Sequence, residues 1–118
     1  MAQVRRAISS VCRNAGVRPP DIDDLNTAVS EACNNVVTHA SRDDTFTVTL
    51  HLTASRARVL VTNTATSVGE GVYDVRDPVD PMAESGRGLA IMRAVMDEAH
   101  IIPRPDGGTS VELIREFR

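Results

Sequence analysis

Residues 21–52 read DIDDLNTAVSEACNNVVTHASRDDTFTVTLHL. In the first part of that stretch Ile22, Leu25, Val29, Ala32, Val36 and Ala40 fall three and four residues apart. That is the spacing of a helix burying one stripe. Asp21 is the expected N-cap, with Asp23 and Asp24 in the first turn, where carboxylates meet the positive end of the helix dipole. At Thr45 the period changes to two. Phe46, Val48, Leu50 and Leu52 alternate with Thr45, Thr47, Thr49 and His51, as in a half-buried strand. A long amphipathic helix running into an alternating strand sets the class as α/β.

Working outward, residues 2–15 read as a helix with Val4, Ala7, Ile8 and Val11 on its apolar stripe. Gly16 is a natural stop, and Pro19-Pro20 is expected to keep the chain extended. Beyond Leu52 a short turn at Thr53–Ser55 leads to Ala57, Val59 and Val61 on one face of a second strand. The two strands should form an antiparallel hairpin. Residues 65–84 have no regular period and contain Gly69, Gly71, Pro78 and Pro81, which predicts a long, functional or flexible loop. Gly86-Arg87-Gly88 opens a third helix with Leu89, Met92, Val95 and Met96 as its stripe. Strands near 99–103 and 109–117 follow, joined across residues 105–108. The order predicts a two-layer α/β sandwich, a mostly antiparallel sheet with helices on one face. At 118 residues the chain is expected to be one domain, 1–118.

Composition removes several function classes. Hydrophobic residues are 42% and aromatics only 3%, so the core is aliphatic and surface rings for stacking bases are scarce. A net charge of −3 offers no general attraction to nucleic acid or anionic membranes, and neither is an expected partner. No apolar run is long enough for a membrane span and no signal peptide opens the sequence, so a cytoplasmic setting is expected. All 13 basic residues are Arg. The absence of Lys excludes the P-loop mechanism, the strand Lys of ordinary protein kinases, and Schiff-base chemistry. Cys12 and Cys33 lack C-x-x-C spacing and read as small core residues. His39, His51 and His100 are scattered and suggest no metal triad.

Four features could carry chemistry. Glu31, Asn35 and His39 recur every fourth residue on the shoulder of the second helix's apolar face, with Asn34 pointing outward. A carboxylate there can accept a proton and an amide oxygen can ligate a hard cation; a solvated polar edge has the same pattern. Asn63 falls on the core face of the second strand, where a buried amide needs a partner, unless it caps a turn. Gly86-Arg87-Gly88 precedes a helix, whose first N–H groups suit phosphate, although most such glycine pairs are turns. Gly107-Gly108-Thr109 reads by default as a hairpin turn.

In order and spacing these features resemble one family. Glu31-Ala-Cys-Asn-Asn35-Val-Val-Thr-His39-Ala is similar to the N box of the Bergerat-fold (GHKL, histidine kinase-like) ATPase superfamily. Glu84-Ser-Gly-Arg-Gly88-Leu-Ala-Ile-Met is similar to its glycine-rich G2 box, and Gly107-Gly108-Thr109 to its later Gly-Thr element. Within the superfamily, residues 28–39 and 86–98 most resemble the bacterial anti-sigma-factor serine/threonine kinases. The resemblance covers nearly the whole chain.

It implies a serine kinase that uses ATP and Mg²⁺, sequesters a sigma factor and phosphorylates a STAS-type anti-anti-sigma antagonist. A homodimer remains open. By the same resemblance Glu31 would be the general base, and Asn35 the Mg²⁺ ligand. Gly86, Arg87 and Gly88 would line the phosphate pocket, residues 65–84 would form the lid, and Thr109 would lie on the adenine side. The G1 box normally reads Asp-x-Gly-x-Gly, whereas the matching stretch here is Asn63-Thr-Ala65-Thr-Ser67. Asn63 can still accept from the adenine amino group, but without charge. Hence a second expectation, a regulatory binding module that binds nucleotide weakly or not at all. The family's usual first strand is missing as well, leaving that sheet edge shorter or exposed.

Overall fold

A computed structural model describes residues 2–39, 45–64, 86–105 and 108–118. Its elements are α1 (Ala2–Asn14), α2 (Pro19–His39), β1 (Thr45–Leu52), β2 (Arg56–Thr64), α3 (Gly86–Val95), β3 (Glu98–Pro103) and β4 (Thr109–Glu116). The four strands form one sheet in the order β1-β2-β4-β3, with every neighbouring pair antiparallel. The helices pack on one face. This is the expected two-layer sandwich. The expected loop at residues 65–84 lies outside the described residues.

In α1 the buried stripe is Ile8 and Cys12, with Val4 partly buried. These lie four residues apart, so the inward row follows the i, i+4 line. Val11 and Ala7, expected on that stripe, face solvent, and Val11 is 49% exposed. Cys12 takes the place expected of Val11 because a thiol packs as a small hydrophobe. Burial pushes its pKa up. Gly16 ends α1 with φ +84°, the left-handed conformation that glycine adopts without a Cβ clash. Val17 N–H then donates to Cys12 O at 2.9 Å and Gly16 N–H to Arg13 O at 3.1 Å, satisfying carbonyls of the last turn.

The start of α2 differs from expectation. The helix begins at Pro19, and the carbonyl of Arg18 accepts from the N–H groups of Asp21 and Ile22 at 3.0 and 3.1 Å. Pro19 and Pro20 therefore occupy the first turn instead of holding the chain extended. Their missing N–H groups would have no intrahelical partner there, and their fixed φ already suits a helix. Asp21 is consequently inside the helix rather than its N-cap, and only 4% exposed. Arg115 of β4 binds it, with Nε and Nη2 at 2.9 and 2.8 Å from Oδ1. Arg115 also meets Asp24 at 2.9 Å and donates to the carbonyl of Val95, the last residue of α3, at 2.6 Å. One guanidinium thus ties the start of α2, the end of α3 and the end of β4 together.

The core is aliphatic. Leu25, Ala28, Val29, Ala32 and Cys33 of α2 lie over Ala57, Val59 and Val61 of β2 and Val111 and Leu113 of β4, with Met92 and Met96 beside them. Val59 pairs with Leu113 and Val61 with Val111 across the central strands. Burial raises the Cys33 pKa to about 11, so the thiol is neutral and inert at ordinary pH. On β1 the alternation holds where side chains are described: Val48, Leu50 and Leu52 pack against the core, and Thr47, Thr49 and His51 are exposed. The open face of the sheet carries an Arg58–Glu112 ion pair at 2.6 Å. Among the described residues no helix is long and apolar enough to cross a membrane.

Candidate functional site

The Arg115 clamp sets the direction of everything above the sheet. With Asp21 held at the end of β4, α2 runs back toward the start of that strand. From residue 21 to 35 a helix advances ~21 Å at 1.5 Å per residue. From residue 115 back to 109 a strand covers ~20 Å. Asn35 therefore comes level with Thr109, and Asn63 is the cross-strand partner of Thr109. The site residues gather at the end of the sandwich opposite the clamp.

At that end two amides are buried. Asn35 is 3% exposed, and neither its Oδ1 nor its Nδ2 finds a hydrogen-bond partner among the described residues. Asn63 is also 3% exposed, and its Oδ1 is likewise unpartnered there. β2 continues through Thr64, so Asn63 lies within the strand and does not cap a turn. Leaving such a group unpaired costs ~1–3 kcal/mol. Two such costs at one end of a small domain point to a ligand that supplies the missing partners.

The neighbours suit a phosphate-bearing ligand. Glu31, one turn before Asn35, is half-buried, while Asn34 is exposed as the helical phase requires. Gly86, Arg87 and Gly88 form the first turn of α3, whose leading N–H groups attract anions. Gly88 is buried against Glu31: a Cβ at that position would lie 3.2 Å from Glu31 Oε2. Thr109 is half-buried at the start of β4. On the other face of the sheet the buried hydroxyls of Thr62 and Ser110 meet at 3.2 Å, fixing the register beside Asn63 and Thr109. His39 closes α2, and its side chain lies outside the described residues, as does Ala65.

A divalent cation fits this donor set. Asn35 Oδ1 is a hard oxygen, buried and without a donor among the described residues. Among the described residues no group of three or more His, Cys, Asp or Glu could hold a metal by itself. A cation held by one amide oxygen together with substrate phosphates matches the habit of Mg²⁺.

Sequence reading missed two features of the surroundings. The Arg115 clamp was visible only as an unusually acidic helix start, and the Thr62–Ser110 pair had no local signal. It requires the register between two strands far apart in the chain.

The sequence profile of the histidine kinase-like ATPase domain matches residues 1–115. The serine-protein kinase RsbW of Bacillus cereus (strain ATCC 10987 / NRS 248) is 31% identical over 111 residues, covering 86% of this chain and 69% of the relative. Its counterpart from Bacillus mycoides (strain KBAB4) is 30% identical over the same coverage. With the fold, the motif order and the site geometry in agreement, the chain belongs to the histidine kinase-like ATPase domain family.

Proposed function

We propose that residues 1–118 act as one domain, a cytoplasmic protein-serine kinase of the anti-sigma-factor type. It binds Mg-ATP, sequesters a sigma factor and phosphorylates a serine on a STAS-type anti-anti-sigma protein. The observation carrying this reading is the pair of buried amide oxygens, of Asn35 and Asn63, without a partner among the described residues, at one end of the sandwich with Glu31 one turn from Asn35. The serine-protein kinase names of the relatives support it.

The residues divide the work by chemistry. Asn63 Oδ1 accepts from the amino group of adenine, with Thr109 beside it. The first-turn N–H groups of α3, from Gly86, Arg87 and Gly88, hold phosphate oxygens. Asn35 Oδ1 would hold Mg²⁺. The cation, when bound, neutralises phosphate charge and orients the γ-phosphoryl group. Glu31 takes the proton of the attacking serine hydroxyl. The serine oxygen forms a bond to the γ-phosphorus, the bond from that phosphorus to the β–γ bridging oxygen breaks, and ADP leaves with the electron pair.

One observation favours the rival reading, a regulatory module with weak or no nucleotide binding. Asn63 is a neutral acceptor at the position where the family's box carries an Asp carboxylate. A thermal scan distinguishes the two. At ~100 times Kd a ligand adds about 2.7 kcal/mol of stability, so millimolar Mg-ATP should raise the melting temperature by several degrees. An unchanged midpoint would select the binding module.

A further inference from the structure

Gly88 is the third residue of α3, buried, and separated from Glu31 Oε2 by little more than the space a Cβ would need. The 3.2 Å that a Cβ would leave is inside ordinary van der Waals separation, ~3.5 Å and above. The atom in the way is the far end of a flexible side chain, so the carboxylate yields and the backbone stays. We infer that Gly88 is a positioning residue for Glu31: the bare backbone leaves the clearance in which the carboxylate sits. This rests on the kinase reading for its consequence in turnover, although the contact itself does not. It gives Gly88 a role distinct from its backbone N–H, which any residue other than proline would supply.

The chemistry explains why the clearance matters. In hydrolysis, the simplest version of the transfer, a water oxygen forms a bond to the γ-phosphorus. The bond to the bridging oxygen breaks with release of ADP, and the water proton passes to the Glu31 carboxylate. A base displaced by a few tenths of an ångström loses alignment, and ~1 Å of misplacement can cost 100-fold. Ground-state nucleotide binding does not use the base and should not follow.

Two measurements test the inference. In the first, thermal unfolding of nucleotide-free protein is compared for wild type, Gly88→Ala, Glu31→Ala and the double variant. Ala is the better helix former, so Gly88→Ala should raise the melting temperature when Glu31 is truncated. In the wild-type background the gain should shrink or reverse. Equal shifts in both backgrounds would overturn the contact. In the second, Gly88→Ala should lower ATP hydrolysis five- to tenfold while the Kd for Mg-ADP stays within threefold. In a Glu31→Asp background, where the carboxylate is retracted by one methylene, the same substitution should change turnover less than twofold. A loss of nucleotide affinity in step with turnover, or no rescue by Asp, would overturn the positioning role. If wild type bound Mg-ADP but neither hydrolysed ATP nor phosphorylated a serine of a STAS-type protein, the kinase reading would fall and the nucleotide-free cycle would decide Gly88 alone.

Discussion

Asn63 is where the chemistry of one residue weighs most on the whole reading. Its side chain is buried with Oδ1 unpartnered among the described residues, so it already bears a desolvation cost that an adenine amino group can relieve. Hydrogen bonds to a charged acceptor are roughly twice as strong as neutral ones. Asn63→Asp should therefore tighten Mg-ATP binding about fivefold, a gain of about 1 kcal/mol. In the nucleotide-free protein the same substitution buries a carboxylate in place of an amide and should lower the melting temperature. Calorimetry and a thermal scan on one variant read both signs. Tighter binding without the loss of free-state stability would mean that Asn63 is more exposed than the fold makes it. The helical phase that separates Asn35 from Asn34 was legible from the sequence, because the apolar stripe of α2 defines it. The burial of Asn35 was not, since a polar shoulder residue looks the same whether or not a sheet lies beneath it.

At the scale of elements, the Arg115 clamp is the feature on which the site's geometry depends. It joins β4 to the first turn of α2 and the last of α3, and Asp21 has little solvent to fall back on. Arg115→Ala leaves that carboxylate only the longer contact to the exposed Arg18, at 3.6 Å, and should cost about 2–3 kcal/mol, below the full buried-pair range because Arg115 itself is partly exposed. Urea unfolding would measure it, and a change under 0.5 kcal/mol would show the clamp to be an ordinary surface contact. Because the clamp aligns both helices, nucleotide binding at the far end should weaken as well. The elements themselves were mostly readable. The threes and fours of α2 and the strict alternation of β1 each come from burial of one face, which is a local property. Two expectations at element ends failed for local reasons of their own. Pro19 and Pro20 enter the helix because a first turn has no use for their missing N–H groups. Cys12 displaces Val11 because the i, i+4 row, and not hydrophobicity alone, selects the inward residue.

For the whole molecule, the clamp and the candidate site occupy opposite ends of the sandwich with the aliphatic core between them. The strand order β1-β2-β4-β3 could not be read from periodicity, since alternation assigns faces and says nothing about neighbours. β4 is an interior strand with Ser110 and Ile114 buried on one face and Val111 and Leu113 on the other, so its own alternation is blurred. That order brings Thr109 beside Asn63, at the end of the sandwich where Glu31, Asn35 and Gly88 lie. The central claim is that the buried amide of Asn35 belongs to a Mg²⁺-dependent nucleotide site. Titration of ATP by calorimetry, with and without Mg²⁺, tests it on wild type, Asn35→Ala and the outward-facing Asn34→Ala. Asn35→Ala removes the oxygen that would ligate the cation, so it should lose at least tenfold in affinity with Mg²⁺ present and little without it. Asn34→Ala should bind as wild type does. If Asn34 were the sensitive position, or Asn35→Ala bound Mg-ATP unchanged, the assignment of this end of the sandwich as the nucleotide site would be contradicted.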